Sequence, residues 1–191
     1  DYLIAAEGMI PKKNQKYFSE KIVYLPTYQV NDSKESLPKA IFSRKDLGLP
    51  EDSFVFCCFN NTFKITPEVF DSWARILNGV DESAMIIYVS NKLAQINLTK
   101  EIVLRGVDPK RLFFGEKLSR DEYLDRYRLC DLFLDTFPYN AGTTASDAIK
   151  MGLPIITIEG ESFNSREAAN IVNSVNLPEM IVANQEEYES L

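Results

Sequence analysis

Histidine is absent from all 191 residues, which removes imidazole general bases, Ser-His-Asp triads and histidine-ligated zinc from anything these residues do. Cysteine is scarce. Cys57, Cys58 and Cys130 form no CxxC pair, and the two neighbours would point to opposite faces of a strand, so they read as buried thiols of a reducing compartment. Positive charge is in deficit: the formal net charge of −7 and isoelectric point near 4.8 argue against nucleic acid or an anionic membrane as partner, either of which would need a basic face. No apolar run is long enough to span a bilayer. Neither a signal peptide nor a transit sequence is visible, so the cytoplasm is the expected location, and Asn60-Asn61-Thr62 and Asn97-Leu98-Thr99 are coincidental sequons. The phosphate fingerprints GxxxxGK[ST] and GxGxxG are missing, as is an Asp-x-Asp metal–diphosphate motif. No metal and no cofactor are therefore expected.

What is present is one α/β domain with a remnant attached, since the length suits a single large core rather than two. Asp1 to about Leu47 differ in texture: short strands at Asp1–Ala5 and Lys21–Leu25 flank a lysine-rich piece, helical near Lys16 to Glu20, and Asn31 to Pro38 reads as a polar linker. A chain that begins in mid-pattern without Met reads as an excised fragment. The compact pattern follows. Phe54–Phe59 is a continuous apolar run, the signature of a strand buried on both faces of a parallel sheet. Thr66-Pro67-Glu68 starts a helix that buries Val69, Trp73, Ile76 and Leu77 and stops at Asn78-Gly79. Met85–Val89 and Leu112–Phe114 are strands, Asn91–Arg105 a helix, and Ser119 to Glu122 a capping box for a helix burying Leu124, Tyr127 and Leu129. Such alternation predicts a Rossmann-like parallel sheet with helices on both faces.

The stretch from Leu132 to Arg166 concentrates the chemistry. A strand ends at Asp135, Pro138, Asn140 and Gly142 break the chain, and Thr143-Thr144 open a helix carrying Asp147. A second strand, Pro154 to Ile158, leads to a second helix start near Asn164 to Arg166. Two such turns side by side form an anion-binding edge, because helix N-termini present unpaired N–H groups. Gly142 permits close approach, Thr143 and Thr144 offer hydroxyls, and Asp147 can accept from sugar hydroxyls. Lys64, after the first strand, is a movable cation for a diphosphate; Arg120 with Tyr123 offers a cation and a flat face for a base, and Arg166 is a further cation. The bland alternatives are a turn glycine, a capping Thr143, a solvated Lys64 and a core Tyr123.

The strings FNNTFKITPEVFDSWARIL, GVDPKRLFF, RYRLCDLFLDTFPYNAGTTASDA and MGLPIITIEGESFNSR closely resemble the catalytic region of the O-GlcNAc transferase and SPINDLY family, of bacterial type. The resemblance runs nearly end to end. It implies a GT-B glycosyltransferase, in which residues 1–44 end the N-terminal catalytic lobe and linker and residues 45–191 form the C-terminal, donor-binding lobe. It implies inverting, metal-independent transfer of a sugar, GlcNAc from UDP-GlcNAc being favoured, to Ser or Thr of a protein acceptor. By position, Lys64 resembles the diphosphate-binding lysine and Asn61 its polar neighbour. Leu118, Arg120 and Tyr123 match the base-holding stretch, Thr143 and Thr144 the phosphate-binding helix start, and Asp147 the ribose acceptor. The animal enzyme has a histidine where this chain has Gly142, and a base-stacking histidine where it has Tyr123. The tetratricopeptide repeats and most of the acceptor lobe are expected outside these residues, so the piece alone should transfer nothing. Two other functions compete: a nucleotide-sugar epimerase of the same fold, and a non-catalytic nucleotide-sensing or protein-docking module.

Overall fold

The computed structural model describes residues 1–27 and 34–191. The first residues of the expected linker, Asn31 to Ser33, lie outside them. Strands β1 (Tyr2–Ala6) and β2 (Lys21–Leu25) pair in parallel, Tyr2 opposite Lys21. Between them is a 3-10 turn at Lys12–Tyr17, not a helix near Lys16 to Glu20. Pro11, with φ −56°, starts the turn early, and Phe18 ends it in extended backbone so that its ring packs on a small core of Ala5, Ala6, Met9 and Ile10.

The main sheet holds β3 (Phe54–Cys58), β4 (Ser83–Tyr88), β5 (Leu112–Gly115), β6 (Leu132–Leu134), β7 (Ile155–Ile158) and β8 (Ile181–Val182) in the order β5-β4-β3-β6-β7-β8. Every pairing is parallel. The chain works outward from β3 in one direction and from β6 in the other. Right-handed crossovers therefore set α1 (Pro67–Gly79) and α2 (Lys92–Leu104) on one face and α4 (Thr143–Lys150) and α5 (Glu167–Ser174) on the other. The two directions part between β3 and β6. A crevice opens there, beyond the carboxyl ends of the strands.

Local sequence explains most elements. Thr66 Oγ1 accepts from Val69 N, Pro67 takes the first helical position, and α1 buries Val69, Phe70, Trp73, Ala74, Ile76 and Leu77. Trp73 is fully buried, and truncating such a side chain costs about 3–5 kcal/mol. Asn91 caps α2, and past its end the chain turns at Gly106, whose φ of +79° suits glycine. The predicted capping box opens α3 (Arg120–Asp125), with Ser119 N donating to Glu122 at 3.0 Å. Leu124, Tyr127 and Leu129 are buried as expected, and all three cysteines are buried thiols. The short β8 and α6 (Gln185–Ser190) extend the expected pattern. α6 is held by buried Tyr188, whose hydroxyl accepts from Trp73 Nε1 (3.1 Å) and donates to Asp135 O (2.9 Å). Among the described residues no helix is long and apolar enough to cross a membrane.

Candidate active site

The crevice is built around Asp135, the residue that follows β6. It is fully buried, and its carboxylate accepts from Thr136 N (2.8 Å), Ala141 N (2.8 Å), Asn60 Nδ2 (3.1 Å) and Thr157 Oγ1 (2.7 Å). Burial pushes its pKa up to about 6, against the pull of those four bonds. Asp135 thereby fixes the loops that follow β3 and β6 relative to each other. Asn60 extends the network: its Nδ2 also donates to Thr136 Oγ1 (2.8 Å), and its Oδ1 accepts from Thr144 Oγ1.

Lys64 spans the crevice. Its Nζ donates to Asn140 O at 2.7 Å and lies 3.8 Å from the centre of the Tyr139 ring. Half-buried, it is not a solvated loop lysine. Burial lowers its pKa, opposed by the charges of Asp135 and Glu167. Asn61 is exposed and leads into the 3-10 turn Thr62–Lys64, its backbone oxygen accepting from Lys64 N.

Facing Lys64's loop is the start of α4. Its cap is Gly142 without a side-chain bond, so Thr143 is the first helical residue and not the cap. The Thr144 hydroxyl donates its proton to Asn60 and so belongs to the network around Asp135. Gly142 has φ −109°, so it is not glycine for the sake of the turn. A methyl group there would stand 2.2 Å from Glu167 Oε1. A side chain here would have to displace the Glu167 carboxylate that rests against the glycine.

One turn further, Asp147 has a side chain only 1% exposed. Arg120 grips it with two bonds, Nη1 to Oδ2 (2.8 Å) and Nη2 to Oδ1 (2.7 Å), while its Nε bonds Glu35 at 2.7 Å. Lys150 also reaches Glu35. Arg120 first, then Lys150, hold the Glu35 carboxyl at about 2, and Arg120 itself is raised by both carboxylates. The sequence treats Arg120 and Asp147 as separate contributors; the fold makes them one unit, with Glu35 supplied from the segment before β3.

Next to this unit, Tyr123, Leu118, Phe59, Tyr88 and Arg126 line a cavity of about 200 Å³. Tyr123 is half core residue and half wall. Its hydroxyl bonds that of Tyr127 (2.6 Å), burial raises its pKa to about 12, and its ring borders the cavity. Arg126, which sequence reasoning missed, is buried with its guanidinium 3.8 Å from the Phe59 ring centre, and its Nε has no hydrogen-bond partner among the described residues. An arginine on the apolar face of a capped helix, three residues after Tyr123, was the available signal. Arg166 departs from expectation. It donates to Gly8 O (2.6 Å) and Gly160 O (3.1 Å) and pairs with Glu159, so its charge is met by Glu159 and its Nε ties the N-terminal segment to the end of β7. A larger apolar cavity, about 260 Å³, lies at the opposite end of the sheet against Phe54, Leu132 and Leu191. It gathers none of these polar groups. Among the described residues no cluster of His, Cys, Asp and Glu is placed to hold a metal.

A parallel sheet in this strand order, with a lysine, a helix start and a buried carboxylate converging at its switch point, defines a Rossmann-like α/β unit whose polar groups gather where such sheets place their sites. The glycosyl transferase family 41 model matches residues 29–191, and the chain belongs to that family. It is 35% identical over 196 aligned residues to the probable UDP-N-acetylglucosamine–peptide N-acetylglucosaminyltransferase SEC of Arabidopsis thaliana, covering 99% of this chain and 20% of the relative. It is 33% identical to the UDP-N-acetylglucosamine–peptide N-acetylglucosaminyltransferase of Caenorhabditis elegans, over 82% of this chain and 14% of that one. The structure of Thermobaculum terrenum O-GlcNAc transferase, solved as a mutant, superposes with a TM-score of 0.84 and 28% identity, covering 99% of this chain and 36% of that protein. The chain thus spans about a fifth or less of the length of these two curated relatives.

Proposed function

We propose that this chain is the donor-binding lobe, with residues 1–44 the end of the other lobe and its linker, of an inverting, metal-independent protein O-glycosyltransferase. It moves N-acetylglucosamine from UDP-N-acetylglucosamine to serine or threonine hydroxyls. Family membership and the names of the relatives support transfer over the epimerase and docking readings. The observation that carries the reading is the convergence of Lys64 and the start of α4 across the β3–β6 crevice.

In this mechanism the acceptor oxygen attacks the anomeric carbon, its proton passes to a base, and the bond from that carbon to the diphosphate breaks. Negative charge grows on the departing diphosphate. The Lys64 ammonium and the N–H groups of Thr143, Thr144 and Ala145 neutralise it without a metal ion, because they are fixed in place beforehand. Asp147, oriented by Arg120, takes the ribose hydroxyls. Leu118, Tyr123 and Arg126 enclose the base. Asn61 borders the donor from the Lys64 loop. Removing one such electrostatic donor costs roughly a hundred- to a thousand-fold in rate. Lys64→Ala in the full-length protein should therefore nearly abolish transfer to a peptide acceptor, and wild-type turnover in that variant would overturn the reading.

A further inference from the structure

Glu167 is the first residue of α5, and β6 and β7 are parallel neighbours, so the helices that follow them start side by side. Its carboxylate lies over the mouth of α4. A methyl group on Gly142 would meet Oε1 at 2.2 Å and Oε2 at 2.8 Å, so both oxygens press on the cap. The group is half-buried and within electrostatic reach of Lys64; burial raises its pKa and the ammonium opposes the rise. An acid at this place is unexpected, since the same helix start and the same lysine are the elements that hold a diphosphate.

Ligand charge resolves the conflict. A nucleotide sugar is anionic at its diphosphate and an uncharged polyol at its sugar. Ionised Glu167 repels the first and accepts strong, charge-assisted hydrogen bonds from the second. Lys64 and the α4 backbone take the diphosphate, which leaves the sugar hydroxyls as the part of the ligand that can face Glu167. We propose that Glu167 is a specificity-determining residue for the transferred sugar, accepting its hydroxyls from a position that Gly142 keeps clear. The inference rests on the diphosphate reading above.

Glu167→Gln keeps the shape and removes the charge. Calorimetry on the full-length protein should give UDP an affinity within about twofold of wild type, and UDP-N-acetylglucosamine a loss of about tenfold, the scale of one charged hydrogen bond. Circular dichroism matching the wild type confirms the fold. Unchanged sugar-nucleotide binding, or UDP and its sugar derivative shifting together, would overturn the proposal, the latter marking Glu167 as a competitor of the phosphates. Lys64→Ala is the control and must weaken both ligands. If it weakens neither, the diphosphate reading itself falls, whatever Glu167 does.

Discussion

Asp135 shows how one buried side chain can organise a site without touching the ligand. Four donors converge on its carboxylate, and removing any of them would leave a charge buried with less compensation. Its pKa near 6, against 3.8 for an ordinary aspartate, sets the sign of a stability effect. Between about pH 4 and pH 6 the folded protein keeps a proton that the unfolded chain releases, so stability falls as pH rises through that window and levels off above it. The full loss is about 3 kcal/mol. Asparagine can keep three of the four acceptor bonds on its oxygen, and Thr157 can turn to accept from the amide. Urea unfolding of Asp135→Asn should therefore lack this descent between pH 4 and pH 6, and an unchanged slope would show that Asp135 ionises freely. Subtracting the mutant curve from the wild-type curve removes the contributions of Glu167 and Glu35. At the same scale, the sequence reads Gly142 as room for a ligand, whereas in the fold the group beside it is the Glu167 carboxylate. The approaching group, Glu167, was invisible because it lies twenty-five residues on and meets Gly142 only through the β6–β7 pairing.

At the scale of elements, the helix starts were readable wherever the signal was local: Thr66-Pro67-Glu68 and the Ser119–Glu122 box stand where the sequence puts them. Long-range ties were not readable. Glu35 comes from the segment before β3 and bridges Arg120 on α3 to Lys150 on α4, eighty-five and 115 residues away. Nothing in a polar stretch of sequence marks which acid will be recruited. Glu35 keeps its charge at any pH well above 2, and since Arg120 and Glu35 are partly exposed the bridge adds little to stability. Its effect is on position, as it holds the Nε–Nη2 edge of Arg120 while Asp147 holds the Nη1–Nη2 edge. Glu35→Gln should raise the KM for the nucleotide sugar roughly three- to tenfold and leave kcat unchanged, the pattern of lost uniform binding. Steady-state kinetics with varied donor would test this. A fall in kcat at constant KM would contradict it.

For the whole molecule, the informative case is Arg166, a cation at a helix start that sequence alone assigns to a ligand. The fold instead uses it to join two bodies. Its guanidinium reaches the carbonyl of Gly8 in the N-terminal segment and that of Gly160 after β7, and Phe163 packs on the small core of Ala5, Ala6, Met9 and Ile10. Gly8 also lies against the Asn170 side chain of α5, a methyl on it standing 2.7 Å from Oδ1. Five strands of the six-stranded sheet were legible from hydrophobic pattern, since each carries its own apolar run; the two-residue β8 is too short to show one. The joint was not, because it is made of single polar contacts between segments about 158 residues apart. Hydrogen bonds to a charged group contribute about 1.5–3 kcal/mol each, enough to control local opening of a two-stranded sheet that cannot stand alone. Arg166→Ala should raise amide exchange across Tyr2–Ala6 and Lys21–Leu25 by about tenfold or more, while β3, β4 and β6 keep their protection. Such a result would assign Arg166 to the joint. Unchanged exchange together with weakened UDP binding would return it to the ligand.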